Sequence, residues 1–367
     1  MKKTMGRKIV INLVLVFASL AGLAVLLEIG LHFLPVNEGL ATLPVNRAFP
    51  VGRFEPNRTS VWSKFADFSM VNKVRTNNYG FVNDQDYDPR DRRPLVAVLG
   101  DSYVEAAMIP YPETGHGLLA EALGDKARVY SFGRSGLALG DYLVYADYAR
   151  QTFRPRKMIV VVVGNDFDES LCQYKKEATF WCWSKSPAGE YKMILNEWSP
   201  GPMVKMVRSS RLARYLLNNC QLYGVYQNLK GKIGGEKFVG NVSVEAGPTR
   251  LADSKAAVEM FLKLLPSASG LTSADILLAV DGVRPALYSD KEWQAAQGSY
   301  FVLMREYFIE RALAHGHRVL DMQPVFVADY NQNGRRFEFD KDGHWNRIGH
   351  RLFFKAVLAS GLVEELK

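Results

Sequence analysis

Hydrophobic positions follow two different patterns along the chain. From Ile9 to Leu27 no charged residue interrupts the apolar run, which resumes after Glu28 and lasts to Leu34, just before Pro35. Beyond Leu95 short apolar runs alternate with longer amphipathic ones, the pattern of parallel strands joined by helices. It predicts strands at Leu95 to Leu99, Arg128 to Phe132, Met158 to Val163, Ile276 to Val280 and Val319 to Met322. Helices are expected at Glu113 to Leu123, Asp141 to Gln151, Ser254 to Leu265, Tyr300 to Ala314 and Gly349 to Ala359. The rhythm fails between Cys172 and about Thr249, where one helical piece, Ser209 to Leu222, stands among Trp181, Trp183, Trp198 and several Lys and Tyr residues. This reads as an insertion whose aromatic residues either pack it onto the domain or stack on sugar rings.

The first run has the roughly 20 apolar residues that a membrane-spanning helix needs. Lys2, Lys3, Arg7 and Lys8 precede it and no such cluster follows closely, which places the N-terminus in the cytoplasm and the rest outside. A cleaved signal peptide is the competing reading, with Ser19-Leu20-Ala21 as its processing site. The continuation of the apolar stretch past that point favours an uncleaved anchor in the inner membrane. The expected organisation is a basic cytoplasmic tail at 1–8, a transmembrane anchor at 9–34, a juxtamembrane linker and N-terminal extension at 35–93, and a domain at 94–367, periplasmic or extracellular, carrying the insertion at about 173–250. In that compartment Cys172 and Cys182 are close enough to pair, leaving Cys220; three buried thiols are the alternative.

A chain of 367 residues with 48% hydrophobic and 23% charged residues can bury a full core. The net charge of +8 comes without a long Lys/Arg run, so nucleic acid is not an expected partner. No His pair has the H-E-x-x-H spacing, and the cysteines suit no metal site, so no metal or cofactor is expected.

Three of the strands end on small or polar residues: Gly100-Asp101-Ser102, Gly133-Arg134-Ser135-Gly136 and Gly164-Asn165-Asp166. Open α/β folds hold their ligands at such carboxyl ends. Ser102 is therefore a candidate nucleophile, and it needs a base. Of the six histidines, His32 lies in the anchor, His116 at a helix start, and His315 and His317 at a helix-to-strand turn. His344 follows Asp340 and Asp342 in a loop, whereas His350 belongs to the next helix. Hydroxyl, imidazole and carboxylate are the parts of an acyl-transfer triad, in which His takes the Ser proton and Asp fixes its tautomer.

In this order GDS, SFGRSG (Ser131 to Gly136), GND and DGHWN (Asp342 to Asn346) resemble the four blocks of the SGNH, or GDSL, hydrolase superfamily. The resemblance spans Leu95 to the C-terminus apart from the insertion. It implies an α/β fold, a flavodoxin-like three-layer α/β/α domain with a parallel sheet of strand order 2-1-3-4-5. It also implies Ser102 as nucleophile and His344 as base, and an oxyanion hole of the Ser102 and Gly136 N–H groups with the Asn165 amide. Asp101 and Asp166 are the supporting carboxylates. The usual block places Asp three residues before His, where this chain has Lys341. The D-x-H-W form resembles the membrane-anchored, periplasmic branch that includes the alginate-acetylating proteins, which points to Asp342, with Asp340 as the alternative.

An acyl-Ser102 can be resolved by water, as in an esterase, or by a sugar hydroxyl, as in an O-acyltransferase. Anchoring favours an envelope glycan or glycolipid as substrate. Transfer would call for a multi-spanning membrane partner that delivers the acyl group. A non-catalytic glycan-binding or assembly protein on the same fold is the third reading.

Overall fold

The computed structural model describes residues 2–175, 177–222, 238–239, 242–243 and 247–366. Part of the expected insertion at 173–250 thus lies outside the described residues. The chain divides into two compact units, Met1–Leu40 with Ser60–Lys73 and Pro200–Lys230, and Ala41–Thr59 with Val74–Ser199 and Gly231–Lys367.

The larger unit is built on five parallel strands: β1 (Leu95–Gly100), β2 (Arg128–Gly133), β3 (Lys157–Val162), β4 (Ile276–Val280) and β5 (Arg318–Asp321). They lie in the order β2-β1-β3-β4-β5, the 2-1-3-4-5 arrangement. The register sets Val96 beside Val129 and Lys157, and Leu278 beside Val160 and Val319. Every residue of β1 to β4 is buried, which is why these strands read as continuous apolar runs rather than alternating ones.

Side chains still alternate between the two faces. Leu95, Ala97, Leu99, Val160 and Leu278 pack with helices Leu139–Phe153, Pro248–Ser269 and Tyr300–Ala314. Val96, Val98, Val129, Val161 and Leu277 pack on the other face, with helices Gly115–Leu123, Met322–Asn333 and Arg347–Ala359. The result is a three-layer α/β/α core. Met322–Asn333 was not among the expected helices; Pro324 lies in its first turn, where proline is tolerated, and the Asp321 side chain caps it by accepting from Gln323 N–H.

The stretch 35–93 holds a two-stranded sheet, Arg58–Lys64 with Met70–Thr76, whose buried positions neither alternate nor form a continuous run, so no strand pattern marks it in the sequence. In the insertion, Trp181–Lys185 and Tyr191–Leu195 form an antiparallel hairpin, and Trp183 is buried in the core. The single helical piece expected at Ser209 to Leu222 is a correction. Helix Pro202–Ser209 ends there, because Ser210 takes an extended backbone and caps the next turn, Arg211–Arg214, through its side chain. The five residues Tyr215–Asn219 then wind as a π-helix. Cys172 and Cys182 are joined by a disulfide, and Cys220 is free.

His116 and His350 are buried where helices Gly115–Leu123 and Arg347–Ala359 meet, and His350 Nδ1 accepts from Gly115 N–H at 3.1 Å. Burial lowers both imidazoles to about 3. The unfolded chain binds protons that the folded one refuses, so these residues withdraw stability as pH falls from about 6.5 toward about 3. Asn at position 350 can still accept from Gly115 but does not titrate. His350→Asn is therefore expected to flatten the decline of the urea midpoint between pH 7 and pH 5; an unchanged slope would contradict this assignment.

Candidate active site

The carboxyl ends of β1 to β4 converge on a cavity of about 340 Å³ lined by Ser102, Gly136, Asn165, Arg284, Phe301 and His344, among others. At the end of β1 the chain turns at Asp101, whose carboxylate accepts from Tyr103 N–H at 3.0 Å, into the one-turn helix Ser102–Glu105. The turn lies so close to β2 that a Cβ on Gly133 would collide with the backbone of Val104 and Glu105. That close approach explains why β2 ends on glycine. Ser102 is thereby presented at the first helical position, half-buried at the cavity wall.

His344 arrives from the other end of the chain. Asp342–Trp345 pairs with Glu338–Phe339 in a short antiparallel hairpin. Residues two apart on a strand share a face, so Asp342 and His344 project together. The His344 Nδ1 contacts Asp342 Oδ1, and the same carboxylate accepts from His344 N–H at 2.9 Å. The opposite ring nitrogen, Nε2, lies 2.7 Å from Ser102 Oγ. Partners of this kind fix the proton on Nδ1 and leave Nε2 to accept from the hydroxyl. Ser102, His344 and Asp342 form one hydrogen-bonded chain.

Asp340 is exposed in the hairpin turn, away from this chain of bonds. Asp101 Oδ2 lies 3.3 Å from Ser102 Oγ, and burial raises this carboxyl to about 6. Of the two contacts to the Ser102 hydroxyl, the one to His344 Nε2 is the shorter.

The expected oxyanion donors come from neighbouring turns. Gly136 has φ +84°, a conformation that favours glycine, and its carbonyl accepts from Lys175 Nζ, itself paired with Glu169 at 2.8 Å. Glu105 clamps the same loop, accepting from Ser135 N–H at 2.7 Å and from Ser135 Oγ at 3.0 Å. Asp166 orders the next turn by accepting from Val163 N–H and Tyr142 OH, each at 2.9 Å. Burial raises the Asp166 carboxyl well above the usual range. Asn165, beside it, lines the cavity. Among the described residues, no hydrogen bond occupies the backbone N–H of Ser102 or Gly136.

A second group of residues was not anticipated from sequence. Asp281 follows β4, and its Oδ1 accepts from Trp345 Nε1 at 2.9 Å and from Arg284 Nε at 3.1 Å. Arg284 also donates to Tyr103 OH at 2.6 Å, and that hydroxyl donates to Gly343 O at 3.0 Å. Both sides of His344, Gly343 and Trp345, are thus tied back to one carboxylate. The signal was present as a fourth strand end, Val280-Asp281-Gly282, but nothing local links an Asp there to a Trp 64 residues later.

No family model matches the chain, and no curated protein does. Among solved structures it is similar to a lipolytic protein of the G-D-S-L family from Veillonella parvula, at 10% identity and TM-score 0.38, over 72% of this chain and 96% of that one. A lipase/acylhydrolase from Enterococcus faecalis gives 11% and 0.37, over 74% and 96%. The α/β hydrolase LAE5 from the Lake Arreo metagenome gives 13% and 0.41, over 73% and 94%.

Removing Asp281 leaves the buried Arg284 with Glu338, 3.8 Å away, in place of its hydrogen-bonded carboxylate and takes the acceptor from Trp345 Nε1, at a cost of about 3 kcal/mol. Asp281→Ala is expected to lower the unfolding free energy by that order in a urea titration, whereas Asp340→Ala leaves it within about 0.5 kcal/mol. Equal effects of the two substitutions would contradict this account.

Proposed function

We propose that this chain performs serine-dependent acyl ester chemistry through a covalent acyl-Ser102 intermediate. The observation that carries the proposal is the continuous contact from Ser102 Oγ through the His344 ring to Asp342. In the forward step Ser102 Oγ attacks the ester carbonyl while His344 Nε2 takes its proton. Asp342 stabilises the imidazolium and holds the ring in place. The negative charge that develops on the carbonyl oxygen is met by the N–H groups of Ser102 and Gly136 and by the Asn165 amide. Such preorganised donors are worth several kcal/mol because they act on charge absent from the ground state. Collapse expels the alcohol, protonated by His344, and leaves the acyl group on Ser102. A second hydroxyl, deprotonated by the same nitrogen, then releases it.

That second hydroxyl belongs to water in a hydrolase and to a sugar in a transferase. We favour an envelope glycan or glycolipid as the alcohol-bearing partner, on the reading that helix Lys2–Leu31 anchors the chain with its N-terminus in the cytoplasm. Arg7–Leu31 is long and apolar enough to cross a membrane, with a mean hydropathy of 2.7 over its most apolar window. The Cys172–Cys182 disulfide suits an oxidising compartment outside the cytoplasm. A transferase reaction there would draw its acyl group from a multi-spanning membrane partner.

The test uses the full chain in detergent with an activated acetyl ester and envelope oligosaccharides, with products followed by mass spectrometry. Ser102→Ala is expected to abolish both turnover and labelling by a fluorophosphonate, and loss of neither would remove the proposal. Acetyl groups found only on water indicate hydrolysis, and acetyl on oligosaccharide indicates transfer. Asp342→Asn is expected to lower kcat by about 10³–10⁴, as expected when a triad carboxylate no longer sets the tautomer, while Asp340→Asn keeps the parent rate. The reverse ranking would assign the acid to Asp340.

A further inference from the structure

The smaller unit exposes large apolar side chains that the core of the protein would normally cover. Phe33 is 85% exposed, Met203 74% and Met206 64%, and Leu216 and Leu217 are also exposed. In helix Pro202–Ser209 the 100° step between residues sets Met203, Met206 and Val207 on one face and Lys205 and Arg208 on the other. From Pro200 to Leu222 the sequence contains Lys205, Arg208, Arg211 and Arg214 and no acidic residue. An apolar stripe opposite a face that carries Lys205 and Arg208 is the composition of a helix that lies in a bilayer interface.

A second observation says which surface covers it. Glu28 is the only Asp, Glu, Lys or Arg between Ile9 and Leu34. A carboxylate in such a segment is costly unless it is partnered. Its partners are Arg211 N–H, Leu212 N–H and Ser210 Oγ, each at 2.8 Å. The last turns of the long apolar helix therefore hold the start of Arg211–Arg214, immediately after the amphipathic helix. Whatever solvent surrounds the end of Lys2–Leu31 also surrounds Met203 and Met206.

We propose that Pro202–Leu217 lies in the interface of the bilayer that Arg7–Leu31 crosses, with Met203 and Met206 among the acyl chains and Lys205 and Arg208 at anionic headgroups. The proposal rests on the reading of Arg7–Leu31 as membrane-spanning. Glu28 acts as the tie between the spanning and the interfacial segment. Attraction of the cations to anionic lipid adds to burial of the apolar stripe, so seating depends on lipid charge.

The experiment uses the full chain with Cys220→Ser, reconstituted into vesicles of mixed zwitterionic and anionic phospholipid. Single nitroxide labels are placed through Val16→Cys, Met206→Cys and Glu190→Cys, the last in the solvent-exposed hairpin turn. Collisions with oxygen, which partitions into lipid, are compared with collisions with a water-soluble nickel chelate. The label at 206 is expected to share the high oxygen-to-nickel ratio of the label at 16, and the label at 190 to show the low ratio of water. Adding Lys205→Glu with Arg208→Glu is expected to shift the ratio at 206 toward that at 190. A low ratio at 206 with a high ratio at 16 overturns the interfacial assignment and leaves the spanning helix intact. Low ratios at both overturn the spanning reading as well. Protection of 206 from both reagents identifies a protein-covered face, such as a second copy of this chain, and also overturns the proposal.

Discussion

The buried Asp281 carboxylate is the constraint on which the geometry of the site depends. Ser102 and His344 are separated by 242 positions in the chain, so their contact requires the last hairpin to be fixed against the sheet to within a few tenths of an ångström. Asp281 does this from the end of a strand that is hydrogen-bonded on both sides. It receives Trp345 directly and holds Gly343 through Arg284 and Tyr103. Tyr103 follows Ser102 in sequence, so the network joins the turn that carries Ser102 to the turn that carries His344. A buried ion pair is often a poor stabiliser compared with apolar packing. Here its directional bonds set where two loops stand, which an apolar contact of the same size would specify less well.

The same logic explains which parts of the molecule could be read before its structure. β1 to β4 were legible because each is buried on both faces, so burial alone dictated an apolar run. The candidate triad was legible because a hydroxyl, an imidazole and two carboxylates stood at strand ends or in a loop, where the fold exposes side chains. The choice between Asp342 and Asp340 is a matter of strand parity. Position 342 shares a face with 344 in the four-residue strand Asp342–Trp345, and position 340 falls in the turn. The Asp281 network was not legible, because its bonds link positions far apart through a tryptophan and a tyrosine that pass for ordinary core residues. The break at Ser210 was missed for a related reason: a serine inside an amphipathic run looks like a polar face until its side chain is seen to cap the following turn.

The buried carboxyls around the cavity are tied to the backbone of the turns that form its wall. Asp101 and Asp166 are both pushed upward by burial, and each accepts a backbone N–H that orders its own turn. Their work is architectural, since they shape the turns that carry Ser102 and Asn165. Glu105 does the same for the Gly136 loop from the last position of helix Ser102–Glu105. Three carboxyls thus secure three consecutive strand ends.

The Cys172–Cys182 bond closes a loop over ten residues of sequence separation, the segment that contains Lys175 and Glu177. Cross-linking a loop of that size removes roughly 3 kcal/mol of chain entropy from the unfolded state in the entropic account. Lys175 is the cation that holds the Gly136 carbonyl, and Glu177 lines the cavity. The part of the wall that shapes the site is therefore completed by an oxidation rather than by folding alone. With the two thiols reduced, the segment that carries Lys175 and Glu177 would lose its covalent tie to the hairpin strand Trp181–Lys185, so this part of the cavity wall depends on redox chemistry as well as on packing.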